Sequence, residues 1–169
     1  MNKIVFLFLG CLSFYSSLSM ALVNDSDQPI TIDSNSAVYD EKKGVSIYYG
    51  NVISIQGSLR VNSDKLVAYL RDGDVVKLVW TGKPARFKQK PEGGKEEIHG
   101  KALTLEYYPD KALFVLIKEA VVTQGTNTYK SDLIKYDTRN SVVKAGERNT
   151  ENNRVRVILK PKKKQSNTK

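Results

Sequence analysis

The chain has 169 residues and a formal net charge of +9 at pH 7, with 27 Lys and Arg against 18 Asp and Glu. This length suits one domain with a sizeable core, and the positive excess favours an anionic partner such as a membrane surface, a phosphorylated ligand or nucleic acid. One cysteine and one histidine exclude a disulfide framework and fall short of a zinc site.

The N-terminus has the three parts of a secretory signal peptide. Lys3 supplies positive charge, an apolar run extends from Ile4 to Leu18, and small residues precede a predicted cleavage site after Ala21. A lipoprotein signal with Cys11 as the lipidated residue is the alternative. We predict three regions: a cleaved leader over 1–21, a folded domain over 22–159 and a basic disordered tail over 160–169. Export disfavours nucleic acid as the partner.

From Ile30 to Leu159 the sequence consists of short alternating apolar and polar runs separated by turn residues. This pattern is typical of an antiparallel sandwich or barrel. Weakly similar units recur at roughly 30 to 38 residues, and such units must share an interior because none can bury its own apolar face. We expect an all-β fold of about 15–16 short antiparallel strands built from repeated units. Turn signals lie at Asp40–Gly44, Arg71–Asp74, Tyr108–Lys111 and Asp137–Asn140.

The longest alternating run extends from Val45 to Gln56. Its odd-numbered positions are mostly apolar, and strand side chains point alternately to opposite faces, so we predict that the odd positions face the interior. Asn51 is the polar exception, and a bulge beside Gly50 would turn it away.

Alternation predicts a set of inward-facing apolar side chains along the whole domain. An ordinary sandwich core without a ligand explains the same pattern. The set comprises Ile30, Ile32, Val45, Ile47, Ile53, Ile55, Leu59, Val61, Leu66, Phe87, Leu105, Val115 and Ile117.

The ordered segments of the domain resemble the OstA-like family. The resemblance covers about Asp27 to Leu159 and is carried by Asp27–Ile32, Gly50–Gly57, Asn62–Leu66, Gly82–Gln89 and Tyr136–Asp137. It implies a twisted, slightly open β-jellyroll in the periplasm that binds the lipid A acyl chains of lipopolysaccharide. It also implies head-to-tail stacking into a bridge, with an inner-membrane jellyroll partner at the N-terminal edge and an outer-membrane translocon at the C-terminal edge. No cofactor is implied, and the driving ATPase would be a separate protein.

The resemblance also assigns positions. It places Ile30 and Ile32 on the first lining strand and adds Tyr39, Phe87 and Tyr107 as lining side chains. The first and last strands are the candidate edges for stacking, with residues Ile30, Thr31, Ile32, Val155, Arg156, Val157, Ile158 and Leu159. Lys83, Arg86 and Lys88 could face lipid phosphates at the mouth of the groove, although an exposed charged strand explains them equally.

Three other functions compete with lipid transport. An enzyme would have to use His99 beside Glu96 and Glu97, but no serine in a nucleophile-type turn accompanies them, so we expect no enzyme. A nucleic-acid barrel would interleave aromatic and basic residues on one exposed sheet, whereas most tyrosines here lie at strand ends. An exported β-sheet assembly protein without lipid cargo is the third alternative.

Overall fold

The computed structural model describes residues 25–91, 94–147 and 154–159. The predicted leader with Cys11 and the predicted basic tail lie outside these residues. Within the described ranges, no helix is long and apolar enough to cross a membrane. Two short 3-10 helices, Asp25–Asp27 and Pro109–Lys111, accompany ten strands: β1 Thr31–Asp33, β2 Ser36–Asp40, β3 Val45–Gln56, β4 Leu59–Arg71, β5 Asp74–Gln89, β6 Ile98–Tyr108, β7 Leu113–Gln124, β8 Asn127–Asp137, β9 Val142–Ala145 and β10 Arg156–Ile158.

All ten strands belong to one antiparallel sheet. Strands β3 to β8 each pair with their neighbours in the chain. At one side β1 and β2 both pair with β3, and at the other β9 and β10 both pair with β8. The sheet therefore has an N-terminal edge formed by β1 and β2 and a C-terminal edge formed by β9 and β10.

A line of register shifts crosses the sheet from β3 to β8. The shifts occupy neighbouring positions on adjacent strands, because Tyr49 pairs with Lys65 and Lys65 pairs with Thr81. Bulges bend and twist a strand, so aligned shifts produce a crease across the whole sheet. The shifts lie between Tyr49 and Val52, Asn62 and Lys65, Thr81 and Ala85, Lys101 and Thr104, and Ile117 and Ala120.

The crease divides the sheet into two layers that pack face to face. Phe87 of layer 2 stacks on Phe114 of layer 1 with ring centroids 4.7 Å apart. The indole nitrogen of Trp80 in layer 1 donates a hydrogen bond of 2.9 Å to the Ser54 hydroxyl in layer 2. Layer 1 comprises residues 36–49, 65–81, 104–117 and 133–145, and layer 2 comprises residues 31–33, 52–62, 85–89, 98–101, 120–131 and 156–158. The architecture is thus a sandwich made by folding one sheet over.

The predicted all-β class is confirmed, and each of the four predicted turn regions lies between two strands. The predicted number of 15–16 short strands differs from the ten observed. Strands β3 to β8 all cross the crease, and each forms two straight segments, which explains the difference. Register between strands creates the crease, and the alternation pattern of a single strand contains no information about it.

The predicted inward face of β3 is wrong. The core-facing side chains are the even-numbered ones, including Val52 at 1% exposure, Ser54 at 3% and Gln56 at 6%, while Ile53 and Ile55 are only half-buried. Ser54 and Gln56 can face inward because both make hydrogen bonds there. Alternation could not decide between the faces, because the outer face of β3 is apolar as well.

The bulge predicted beside Gly50 is present. Gly50 and Asn51 both have left-handed backbone angles, with φ of 75° and 47°, and the register shifts at this point. A Cβ at Gly50 would lie 2.6 Å from the Asn35 amide nitrogen, so only glycine fits. Asn51 is exposed, as predicted.

Candidate functional site

The interior between the layers is lined by a cluster of stacked aromatic rings. Phe114 lies at its centre, with the Tyr107 ring 4.6 Å, the Phe87 ring 4.7 Å and the Trp80 ring 6.1 Å away. Tyr136 stacks on Phe87 at 6.2 Å. All five side chains are at most 3% exposed. The sequence analysis identified Phe87 and Tyr107 but missed Trp80, Phe114 and Tyr136 as interior groups.

A glycine makes room for this cluster. Gly100 lies directly opposite Phe87 in the pairing of β5 with β6, and a Cβ at Gly100 would overlap the Phe87 ring. The Phe87 ring therefore packs over the backbone of β6 at Gly100, which has no side chain. A lone glycine in the alternating sequence of β6 was the available signal for such a close approach.

Polar groups in the interior are all satisfied. Ser54 accepts the hydrogen bond of Trp80, and the Gln56 amide donates to the carbonyl oxygens of Ser26 and Gln28 at 3.2 and 3.1 Å. Among the described residues, no buried side-chain nitrogen or oxygen lacks a hydrogen-bond partner. The interior therefore offers apolar contact and leaves no free polar group to fix a polar ligand.

Polar side chains close the interior at the strand ends far from the crease. The Asp25 carboxylate accepts hydrogen bonds of 2.6 Å from both the backbone N–H and the hydroxyl of Ser58, and one of 2.9 Å from the Gln89 amide. Burial raises the pKa of Tyr136 to about 12 and also raises the pKa of Tyr107. Both phenols are therefore uncharged at neutral pH.

The predicted lining residues fall into three groups. Leu66, Phe87, Leu105 and Tyr107 are buried in the core, and Ile30 and Ile32 pack against it. Ile47, Ile53, Ile55, Val115 and Ile117 alternate with core residues and point to the outer faces of the layers, so the prediction that they face inward is wrong. Tyr39 lies on β2 at the N-terminal edge and is 62% exposed.

Large exposed apolar side chains concentrate at the two edges of the sheet. Val38 and Tyr39 lie on β2, while Val142 lies on β9, and four more lie in or beside β10: Val155, Val157, Ile158 and Leu159. The predicted edge strands at both ends of the chain do lie at opposite extremes of the sheet. The sequence analysis missed β2 and β9, which extend both edges into layer 1.

The residues predicted to face lipid phosphates do not face the interior. Arg86 and Lys88 are exposed on the outer face of layer 2, on either side of the buried Phe87. Lys83 is exposed at the crease.

Two spaces differ sharply in size. The cavity between the layers near Ile30, Leu78 and Trp80 has a volume of only about 10 Å³. A cleft of about 800 Å³ lies beside β10, and its lining includes Ala120, Val155 and Val157 together with Lys101, Lys130 and Arg156. The interior is therefore packed, and the open space is at the C-terminal edge.

His99 is the residue on which the enzyme alternative depends. It is exposed on β6 and lies 3.3 Å from Glu97. In the described ranges, no group of three or more His, Cys, Asp and Glu side chains could hold a metal ion.

Comparison with known proteins identifies the family. The family described as "LptA/(LptD N-terminal domain) LPS transport protein" matches residues 31–142. The lipopolysaccharide export system protein LptH of Pseudomonas aeruginosa is 34% identical over 155 residues, covering 88% of this chain and 89% of that protein. LptA of Escherichia coli K12 is 33% identical over 145 residues, covering 85% and 77%.

The fold agrees with the sequence relationship. A crystal structure of LptH from Pseudomonas aeruginosa, described as the periplasmic component of its lipopolysaccharide transport device, superposes with a TM-score of 0.75 at 32% identity. The match covers 81% of this chain and 99% of that one. These relatives are transport proteins, and the resemblance to the OstA-like family is confirmed. The chain therefore belongs to the LptA/LptD N-terminal domain family and is an LptA-type lipopolysaccharide transport protein.

Proposed function

We propose that this protein is a periplasmic carrier that receives lipopolysaccharide at the inner membrane and passes it toward the outer membrane. The lipid A acyl chains lie between the two layers, in contact with the inner side chains of the sandwich. The observation that carries this proposal is an apolar interior that continues from edge to edge. Ile30 and Ile32 extend it to the N-terminal edge, and Tyr129, Val143 and Ala145 extend it to the C-terminal edge.

Free energy explains what such an interior can do. Sequestering an acyl chain of about a dozen methylenes from water contributes on the order of 10 kcal/mol, at about 0.8 kcal/mol per methylene. A membrane offers the chain nearly the same environment. The carrier therefore provides a sheltered path at roughly equal free energy, and the direction of transport comes from a separate energy source.

Loading requires the layers to separate. Ligand sites for small molecules measure about 300–1,000 Å³, whereas the inter-layer cavity near Trp80 measures about 10 Å³. The contacts that must part join the layers directly: the Phe87–Phe114 stack and the Trp80–Ser54 hydrogen bond. The crease keeps the layers connected on one side, so opening proceeds from the edges and from the side closed by Asp25.

The edges support head-to-tail stacking. Among the described strands, β1 and β2 each pair on one side only, and so do β9 and β10. Pairing of the N-terminal edge of one copy with the C-terminal edge of the next is β-augmentation. Such a heterologous contact leads to an open chain of subunits. The same edges would accept jellyroll partners, an inner-membrane protein at the N-terminal edge and the outer-membrane translocon at the C-terminal edge.

The predicted signal peptide, cleaved after about Ala21, and the periplasmic location of the LptH relative support a periplasmic site of action. The role requires no catalysis and no cofactor. An exported assembly protein without cargo is the second candidate, and the closely packed interior favours it. A binding experiment separates the two.

Trp80 is the only tryptophan of the chain and lies in the interior at 1% exposure. We expect a lipid A analogue with brominated acyl chains to quench its fluorescence, because quenching by bromine requires close approach. The non-brominated analogue is the matched control. Binding of the brominated lipid without quenching would place the lipid outside the sandwich and contradict the proposal, and absence of binding would favour the protein without cargo.

A further inference from the structure

Basic side chains form a line on the outer face of layer 2. Arg86 on β5 pairs with Lys101 on β6, and Lys130 on β8 pairs with Arg156 on β10, with Val121 on β7 between the two pairs. On β5, β6 and β7 the intervening positions are buried core residues, so alternation places the line on the outside.

A second, shorter line runs beside the first. Arg60 pairs with Lys88, and Lys88 pairs with His99. Neighbouring strands are about 4.8 Å apart, so the first line, which spans β5 to β10 across five strands, extends over about 19 Å. Charges spread over this length suit an extended anionic surface better than one phosphate group.

Within the described part of the chain, the basic groups of this line have no carboxylate partner. None of Arg86, Lys101, Lys130 and Arg156 forms an ion pair with any residue that the structure describes. Two acidic residues, Glu119 and Asp132, line the same cleft as Lys101, Lys130 and Arg156 but make no ion pair with them. Like charges directly opposite each other on adjacent strands are destabilising, so the arrangement costs stability in the isolated subunit.

Basic side chains on layer 1 are arranged differently. Lys77 forms an ion pair of 2.9 Å with Glu106, and Lys135 lies 3.3 Å from Glu147. Lys65 lies over the Tyr49 ring, 5.2 Å from its centroid. On layer 1, Lys77 and Lys135 thus have carboxylate partners, whereas the four basic side chains of the line on layer 2 form no ion pair with a described residue.

We propose that the outer face of layer 2 binds the surface of a membrane rich in anionic phospholipid headgroups. The lipid phosphates would neutralise the basic side chains of the line and would thereby relieve the repulsion between them. This site is separate from the interior, because the buried side chains of layer 2 lie between the line and the space proposed for acyl chains.

The line runs across the strands, which is also the direction in which subunits would stack. A subunit bound through this face therefore lies with its stacking direction parallel to the membrane. This orientation describes a free subunit held at a membrane, and it differs from the orientation of a subunit within a bridge that crosses the periplasm.

The test is co-sedimentation of the exported full-length protein with vesicles of phosphatidylethanolamine and phosphatidylglycerol. We compare three variants that each remove two positive charges: Lys101→Gln/Lys130→Gln on the line, Lys42→Gln/Lys144→Gln on layer 1, and Lys162→Gln/Lys163→Gln in the predicted tail. We expect the first variant to weaken binding about 30-fold and the other two to change it less than about threefold. Added salt should weaken binding of the wild-type protein, and vesicles of phosphatidylcholine should not bind it.

Several results would overturn this proposal: no binding of the wild-type protein to anionic vesicles, equal losses in all three variants, or a loss confined to the tail variant. Folding of the line variant is checked by its melting temperature, which should not fall because the substitution removes repulsion. Quenching of Trp80 by brominated lipid A should be unchanged in this variant, so failure here is distinguishable from failure of the proposed carrier function.

Discussion

Ser54 shows how a single polar residue fixes the relation between the two layers. Its hydroxyl lies in the core at 3% exposure and accepts the hydrogen bond of Trp80 from the opposite layer at 2.9 Å. Without this acceptor the indole N–H would be buried and unpaired. One side chain thus explains both the inward orientation of the even positions of β3 and part of the attachment between the layers.

We expect Ser54→Ala to lower the free energy of unfolding by about 1–3 kcal/mol, because it leaves a buried donor unsatisfied. Urea unfolding measures this loss. Trp80→Leu removes the hydrogen-bond donor. In the double variant no buried donor is left unsatisfied, so the loss of stability should be smaller than the sum of the losses in the two single variants. A Ser54→Ala variant as stable as the wild-type protein would show that the hydrogen bond does not hold the layers together.

Lys77 and Glu106 give layer 1 a pH-dependent contribution to stability. Burial opposes the charge of each group, but their mutual hydrogen bond and Tyr108 outweigh it, raising the pKa of Lys77 and lowering the pKa of Glu106. A carboxyl group whose pKa is lower in the folded than in the unfolded protein stabilises the folded state at pH values above its unfolded pKa. This contribution is lost as the pH falls through the pKa of the folded state.

We therefore expect Glu106→Gln to lower stability by about 1 kcal/mol at neutral pH. The difference from the wild-type protein should shrink on acidification below the ordinary glutamate value of 4.5. Urea unfolding at a series of pH values measures both curves. Glu41→Gln, at an exposed position, is the control. A difference in stability between Glu106→Gln and the wild-type protein that stayed constant down to acidic pH would contradict the role of the Lys77–Glu106 ion pair.

At the scale of strands, the crease connects the two layers, and the edges are available for pairing with another subunit. The crease keeps both layers in one continuous sheet, whereas at the edges four short strands pair on one side only with the strands that the structure describes. Most proteins protect such edges with charge. Here Val38, Tyr39, Val142 and Val157 are exposed on them, which favours pairing with another jellyroll.

Stacking predicts a specific mixing result. Thr31→Lys/Val38→Lys should block the N-terminal edge, and Val142→Lys/Val157→Lys should block the C-terminal edge, because lysine on an edge opposes strand addition. In sedimentation velocity we expect the wild-type protein to form a concentration-dependent series, each variant alone to remain monomeric, and their mixture to form dimers.

Tyr69→Lys, a substitution of an exposed aromatic residue on β4 away from both edges, is the control for this experiment. It should associate like the wild-type protein. A closed dimer that survives in either edge variant alone would indicate a symmetric contact and contradict head-to-tail stacking.

At the scale of the molecule, the two sides of each layer have separate chemistry. The inner sides are apolar and aromatic, the outer side of layer 1 carries the ion pairs of Lys77 with Glu106 and of Lys135 with Glu147, and the outer side of layer 2 carries the basic line. A sandwich with only an inner function would not need this asymmetry.

Much of this architecture could be predicted from the sequence, and the exceptions have physical causes. The alternating runs and the Asp, Gly and Pro residues at reversals predicted the strands and turns. The facing of β3 could not be predicted, because Ile47 belongs to an apolar outer row in which it pairs with Val67 and Val67 pairs with Val79. Apolar residues on both faces remove the contrast on which alternation depends.

The interior was only partly predictable for a second reason. In β4, β5, β6 and β8 the relation between residue number and face changes at the crease, whereas β3 and β7 keep it; in β4 the buried residues are odd-numbered at Leu59 and Val61 but even-numbered at Leu66 and Ala68. Register shifts between partner strands produce this change, and a single strand's sequence does not contain it. Phe87 was predicted by alternation as well as by family resemblance, and Tyr107 through family resemblance, whereas Phe114 at the centre of the cluster was missed.

The central claim, that acyl chains lie between the layers, is tested most directly by photo-crosslinking at adjacent positions of β4. Leu66 faces the interior at 0% exposure, and Val67 points to the outer face of the same strand. A small aliphatic diazirine amino acid is placed at one position or the other in cells that make lipopolysaccharide, and lipid adducts are detected on the exported protein. The account predicts adducts at Leu66 and few at Val67. Adducts only at Val67, or none at Leu66 in a folded protein, would contradict it.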